Sequence, residues 1–174
     1  MAYKNLREFI ARLERAGELK RINTPIDVDL EVAEITDRVS KSAGPALLFE
    51  KPRSARENKS YSTPVLTNAF GTLKRLELAL DASSVEAVAR RIEDLLEIKP
   101  PEGLLEKVKM LPRLAEFGSF LPKTVKDGPV KEVILKQGFS LSQFPIMQCW
   151  PHDGGRFITL PMVITRSPKN GRRN

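Results

Sequence analysis

Asp153-Gly154-Gly155-Arg156-Phe157-Ile158-Thr159-Leu160-Pro161-Met162-Val163-Ile164-Thr165-Arg166-Ser167-Pro168-Lys169-Asn170-Gly171-Arg172-Arg173-Asn174 closes the 174-residue chain, and its reading decides the fold class. Asp153–Gly155 reads as a tight turn. Arg156–Thr165 reads as a strand of mixed alternation, with Phe157, Thr159, Pro161 and Val163 along it. Asn170-Gly171 is the strongest short-range signal of a hairpin turn. Such a turn needs a returning strand, and only Arg172, Arg173 and Asn174 follow it. A strand with little sheet behind it is a poor structural unit. The expectation is a chain truncated beside a sheet it does not complete, with a flexible chain end as the competing account.

Upstream of this stretch the strand character continues to Pro122. Val130–Leu135 predicts a strand, Gly138–Pro145 a turn with one helical turn, and Met147–Trp150 an extended segment. Phe144, Met147 and Trp150 are assigned to the core because large apolar side chains favour burial, and Cys149 is read as a small buried hydrophobe. Gly154-Gly155 suits either a turn into a strand or a phosphate cradle.

The first 120 residues read differently. Asn5 with Glu8 has capping-box spacing, and Leu6, Phe9, Ile10 and Leu13 recur at helical spacing until Gly17. A short strand over Glu18–Ile22 precedes the break at Asn23-Thr24-Pro25. A second helix starts near Asp29, carries Val32, Ile35 and Val39 on one face, and stops at Gly44-Pro45. Ala46–Phe49 predicts a buried strand, residues 51–63 a surface loop, and Val65-Leu66 another strand. Asn68–Thr72 is a turn into a helix at Leu73, Leu76, Leu78 and Leu80. Ser83 with Glu86 has capping-box spacing before the stripe Val85, Val88, Ala89, Ile92, Leu95 and Leu96, which Pro100-Pro101 closes. Residues 102–122, broken by Pro112, Gly118 and Pro122, predict short connecting helices. The fold class expected is α+β, with an N-terminal domain and connector over 1–120 and the start of a β-rich domain over 121–174.

Hydrophobic residues make up 41% and charged residues 29% of the chain, a globular composition rather than a disordered one. No stretch approaches the roughly 18 apolar residues that span a bilayer. Met1–Asn5 leads straight into an amphipathic pattern, without a signal or transit-peptide bias, so a cytoplasmic location is expected. With one Cys and one His, Cys149 and His152, there is no disulfide framework and no ligand set for zinc. The only His also lies in a Gly-rich turn with no nucleophile motif, which argues against a Ser-His-Asp triad. Net charge is +7, and residues 121–174 hold nine Lys/Arg against three Asp/Glu. Arg166, Lys169, Arg172 and Arg173 have no acid among them. This segment suits an anionic partner (a phosphate-bearing cofactor, a carboxylate or nucleic acid) or is an ordinary solvated turn.

Five segments, taken in order, resemble the UbiD family of non-oxidative decarboxylases. They are Lys4–Phe9 with Gly17–Ile22, Gly44–Glu50, Asn68–Thr72, Asp153–Thr159, and Val163–Arg166 with Asn170–Asn174. The resemblance implies the N-terminal portion of a protein roughly three times this length. It implies a small α/β domain followed by the first strands of a split β-barrel of flavin-reductase type that binds prenylated FMN. A separate C-terminal domain would make a homo-oligomer. The activity implied is removal or reversible addition of a carboxylate on an aromatic or α,β-unsaturated acid, the prenylated hydroxybenzoate of ubiquinone biosynthesis included. The modified flavin forms an adduct with the substrate and accepts electron density as carbon dioxide leaves. A divalent metal, usually Mn²⁺, bridges the cofactor phosphate to an Asn, a His and a Glu.

Carried over by residue, the family's metal-binding Asn falls on Asn174, and Thr159 falls where a residue faces the flavin. Read without the family, Asn174 is an ordinary chain end and Thr159 a plain sheet position. His152 does not match the family's His ligand. The remaining ligands and the proton-handling Arg and Glu residues have no counterpart in 1–174, so no catalytic residue is assigned and the fragment alone is expected to be inactive. The alternatives are a basic nucleic-acid-binding module and a protein-interaction subunit of a split enzyme. The first is opposed by the near-neutral residues 1–120 and by only two Tyr and one Trp. No nucleic-acid partner is expected.

Overall fold

The computed structural model describes residues 3–96, 115, 118 and 121–174. Helix α1 spans Leu6–Arg15 because its first turn is closed from both sides. Asn5 Oδ1 accepts from the Glu8 N–H at 3.1 Å, and Glu8 Oε2 accepts from the Lys4 N–H at 2.8 Å. Gly17, at φ +70, takes the left-handed conformation that ends the helix. Phe9 and Leu13 are buried, whereas Leu6 at the first turn is exposed.

Strand β1 (Leu19–Ile22) runs parallel to β3 (Ala46–Phe49), and β3 pairs antiparallel with β6 (Val65–Thr67). A second sheet continues the first: β2 (Ile26–Asp27) runs parallel to β4 (Pro52–Ser54), which turns back on β5 (Lys59–Ser60). Leu19 faces Ala46 but Ile26 faces Pro52, so the register slips by one residue across Asn23-Thr24-Pro25. That is the signature of a bulge, at a proline with no N–H to give the ladder. Helix α2 (Glu31–Lys41) is the crossover that both parallel pairs require.

Strand β3 is buried at every position, as expected for a strand covered on both faces. On one side Leu47 and Phe49 pack with Ile26, Val32 and Val65, and Ile35 and Val39 of α2 close over them. On the other, Ala46 packs with Phe9 and Leu13, and Leu66 and Leu78 complete the layer. Leu78 belongs to α3 (Leu73–Leu80), which Thr72 caps by accepting from the Arg75 N–H. Here the helix departs from its apolar pattern. Leu73 and Leu80 face solvent, while Arg75 is 1% exposed.

Several expectations need correction. Residues 51–63 are not a surface loop: they form the β4–β5 hairpin, with Pro52 and Ser54 buried. Helix α4 (Val85–Leu96) is capped one residue later than the spacing suggested, since Ser84 Oγ, not Ser83, accepts from the Ala87 N–H at 3.0 Å. Val130–Leu135 is not a strand. Pro129–Lys131 is a 3-10 turn, and Val130, Val133, Ile134 and Leu135 are exposed. Arg156–Thr165 forms no continuous strand either, and Leu160 sits at φ +56. A strand requires a neighbour's backbone, and here pairing is limited to isolated bridges, Met147 with Phe157 and Arg166 with Arg173. Trp150 and Phe144, assigned to the core, are 65% and 44% exposed, and Cys149 is half-buried. The connecting helices expected over 102–122 fall almost wholly outside the described residues.

Two compact units result, residues 1–82 with 140–174, and residues 83–139. In the second, none of the described residues of α4 is buried. In the first, Leu141–Gln143 makes the helical turn expected before Pro145, and Gln148 is stitched to the segment that follows β2. The Gln148 N–H donates to Val28 O at 3.1 Å, and the Leu30 N–H donates to Gln148 O at 2.9 Å.

Candidate functional site

Asp29 lies two residues past β2 and Arg156 follows the Asp153–Gly155 turn, yet they meet. Arg156 Nε donates to Asp29 Oδ1 and Nη2 to Asp29 Oδ2, both at 2.8 Å. The side chains are 13% and 10% exposed. Ser54 Oγ donates to Asp29 Oδ2 at 3.0 Å and accepts from Arg156 Nη2 at 2.7 Å. Arg156 Nη1 donates to Tyr61 OH at 3.1 Å and lies 2.9 Å from Glu57 Oε1. Arg156 holds the Asp29 carboxyl below the usual carboxylate range, with Ser54 adding a second hydrogen bond and Arg56 a further charge. Asp29 in turn raises the Arg156 guanidinium above its ordinary value. Neither residue was singled out from the sequence for this role. The two signals, an Asp at a helix start and an Arg after paired glycines, are individually ordinary.

Leu30, next to Asp29, sits at φ 74 and ψ −38, and the Glu31 N–H donates across it to Asp29 O at 3.0 Å. This is the γ-turn with positive φ at its centre, a rare and strained form. Leu30 lines a cleft of about 790 Å³, whose walls include Phe70, Met147, Trp150, Phe157 and Thr159. That volume falls within the range of small-molecule sites. Thr159 also lines a smaller cleft of about 350 Å³ with Val65 and Phe144. Its hydroxyl has no hydrogen-bond partner among the described residues.

Asn174 lies elsewhere, at the end of the closing hairpin, and lines neither cleft. The Asn-Gly signal is used, though not as a two-residue turn. Gly171 alone is left-handed, at φ 68, and its N–H donates to Ser167 O at 2.9 Å. Arg172–Asn174 supplies the return: the Ser167 N–H donates to Arg172 O at 2.9 Å and the Asn174 N–H to Thr165 O at 3.4 Å. The Asn174 carboxamide extends the ladder. Its Oδ1 accepts from the Thr165 N–H and its Nδ2 donates to Val163 O, both at 2.8 Å. This leaves Oδ1 a second lone pair and a fixed orientation, the donor type a hard divalent cation takes. Among the described residues no group of three His, Cys, Asp or Glu completes such a site.

Arg166 and Arg173 are directly opposed across this hairpin, in a position where side chains approach closely. No carboxylate partners either among the described residues. Cys149, by contrast, has its thiol pushed up by burial and by Asp153, which makes it a poor nucleophile. No helix among the described residues is long and apolar enough to cross a membrane.

Comparison with known proteins bears on this geometry. Residues 10–96 match the 3-octaprenyl-4-hydroxybenzoate carboxy-lyase N-terminal domain, and residues 123–174 match the Rift-related domain of the same enzyme family. An uncharacterised protein of Archaeoglobus fulgidus is 45% identical over 100% of this chain and 34% of its own length. One of Aquifex aeolicus is 43% identical over 99% and 35% respectively. The chain thus spans about a third of these relatives. Among solved structures, an evolved dimeric form of the UbiD-class enzyme HmfF from Pelotomaculum thermopropionicum, in complex with prFMN, superposes with a TM-score of 0.66 at 26% identity, covering 99% of this chain and 34% of that one. Vanillic acid decarboxylase of Sedimentibacter hydroxybenzoicus shares the fold, with a TM-score of 0.69 at 23% identity over 96% of this chain and 32% of that one. With both matched segments belonging to one enzyme family, and the fold shared with that family's solved members, this chain belongs to the UbiD family.

Proposed function

We propose that the whole protein is a non-oxidative carboxy-lyase that removes, or reversibly adds, a carboxylate on an aromatic or α,β-unsaturated acid of polyprenyl-hydroxybenzoate type, using prenylated FMN and Mn²⁺. The observation that carries this reading is the likeness to HmfF, whose structure holds prFMN, along 99% of this chain. The prenylated flavin, when bound, supplies the electron sink for decarboxylation. This chain's residues bind and orient. Thr159 offers a hydroxyl on the cleft wall, and Asn174 offers a neutral oxygen that the Thr165 N–H holds in place. A neutral ligand beside a phosphate leaves the cation its charge to neutralise that phosphate.

The protein acts in the cytoplasm as a homo-oligomer, and residues 1–174 alone do not turn over substrate. The domain boundary proposed near 120 is compatible with the two matched segments, 10–96 and 123–174. The test is reconstitution of the whole protein with prenylated FMN and Mn²⁺. Expected are flavin absorbance that co-elutes with protein and carbon dioxide release from at least one acid of an aromatic and cinnamate-type panel. Neither signal across the panel would overturn the reading.

A further inference from the structure

Arg156 has five N–H donors; it makes four hydrogen bonds, to Asp29 Oδ1 and Oδ2, Ser54 Oγ and Tyr61 OH, and its Nη1 also lies 2.9 Å from Glu57 Oε1 as an ion pair. The guanidinium is thus largely committed to neighbouring side chains. Its position is what matters. The next residue, Phe157, donates its N–H to Met147 O at 3.1 Å, and Phe157 and Thr159 form one wall of the 790 Å³ cleft. Asp29 precedes Leu30, which belongs to another wall of the same cleft and is held in a strained turn. The ion pair therefore joins the residues next to two separate walls. It is largely desolvated and two-pronged, the geometry in which an Arg–carboxylate pair fixes orientation as well as distance.

We propose that Asp29 and Arg156 form a positioning clamp that sets the width of this cleft, holding the Phe157–Thr159 segment at a fixed separation from Leu30. The proposal rests on the reading that the whole protein binds a flavin. Loosening the clamp then changes how the flavin sits, beyond any effect on how firmly the protein is folded.

The test uses the whole protein with FMN as the probe. Asp29→Asn keeps the shape and removes the charge; Arg156→Lys keeps the charge and removes the fork. The core variant Val32→Ala, from the opposite side of β3 to α1, serves as a control for general destabilisation. The readouts are FMN affinity by fluorescence quenching and the visible circular dichroism of the flavin at saturation. Both clamp variants are expected to bind FMN about tenfold or more weakly and to show a changed dichroism when saturated, while the control keeps the wild-type spectrum. Arg156→Lys stands if Asp29→Asn fails to fold. Clamp variants whose saturated spectra match wild type, or match a control that shifts equally, would overturn the clamp and leave the flavin reading standing. A wild-type protein that binds no FMN would overturn both.

Discussion

Glu18 Oε2 accepts from Nη1 of the buried Arg75 at 3.0 Å while its other oxygen meets Lys74 Nζ at 2.7 Å, so one carboxylate serves both cations. Arg75 Nε and Nη2 have no hydrogen-bond partner among the described residues. A buried pair of this kind is held at a desolvation cost that its attraction does not necessarily recover. Breaking it from the acid side is the damaging change. Glu18→Gln is expected to cost about 3 kcal/mol by leaving the guanidinium uncompensated, whereas Arg75→Met is expected to be neutral or stabilising. Urea midpoints of the two variants decide it, and equal losses would show the pair to be a net stabiliser.

The Asp29 carboxyl titrates below its unfolded value because Arg156 binds its charged form. A lowered carboxylate pKa contributes stability that is fully present above the unfolded value of about 3.9 and is lost as pH falls through the folded one. Stability should therefore drop through the acid range below about pH 4. Asp29→Asn is expected to flatten that part of the profile and to leave its shape above pH 6 unchanged. Chemical denaturation at stepped pH measures both. An unchanged acid limb in the variant would remove Asp29 as its source.

Capping gives a sharper comparison, because two adjacent serines precede α4 and only Ser84 accepts from the Ala87 N–H. Loss of an N-cap acceptor costs about 1 kcal/mol. Ser84→Ala should show that loss and Ser83→Ala little or none. The Glu86 carboxyl, lowered by its own backbone N–H and by Ser84, should rise towards its ordinary value in Ser84→Ala. Carboxyl titration by NMR reads this directly.

What could be read in the sequence was local. Helix α1 was legible because Asn5, Glu8 and Gly17 act within a few residues of one another, and β3 because four consecutive apolar residues need cover on both faces. The β4–β5 hairpin was missed because its polar composition suits a loop. Ser54 is buried by partners 25 and 102 positions away, beyond the reach of any sequence window. Val130–Leu135 and Arg156–Thr165 have strand-forming side chains, but propensity becomes a strand only where another backbone offers a ladder. The family resemblance pointed to Thr159 and Asn174 by position, as proposals. It placed Arg156 in a matching segment but gave no role to it or to Asp29, whose pairing exists only in three dimensions.

Two glycines separate steric from conformational need. Gly17 has open space around it but φ +70, so Gly17→Ala should cost about 1 kcal/mol from backbone conformation alone. At Gly71 a methyl group would lie 1.9 Å from Asn68 Oδ1 and 2.9 Å from Arg75 Nη2. Asn68 cannot yield cheaply, since its Nδ2 donates to Gly44 O at 3.0 Å and to Pro45 O at 2.9 Å. Gly71→Ala should therefore cost more, about 2–3 kcal/mol from overpacking and displaced hydrogen bonds. The order of the two unfolding midpoints is the check, and a milder Gly71→Ala would mean that the Asn68 side chain moves freely.

Asn174 joins an observed place in the hairpin to a proposed role as cation ligand, and its substitutions should split the two. Its Oδ1 accepts from the Thr165 N–H and is the proposed cation ligand, while its Nδ2 only donates to Val163 O. Asn174→Asp retains an oxygen for both the N–H and the cation but has no donor for Val163. In the whole protein it should keep Mn²⁺ binding while loosening the hairpin, seen as faster hydrogen exchange nearby. Asn174→Ala loses every one of these contacts. It should weaken Mn²⁺ binding by about tenfold or more, comparable to the loss of an orienting group at a metal site, and should also speed exchange at the Thr165 amide. Free Mn²⁺ counted by electron paramagnetic resonance, alongside amide exchange, distinguishes the two duties. If Asn174→Ala binds Mn²⁺ as wild type does while the Thr165 amide exchanges faster, the carboxamide is a hairpin clasp and the cation is held without it.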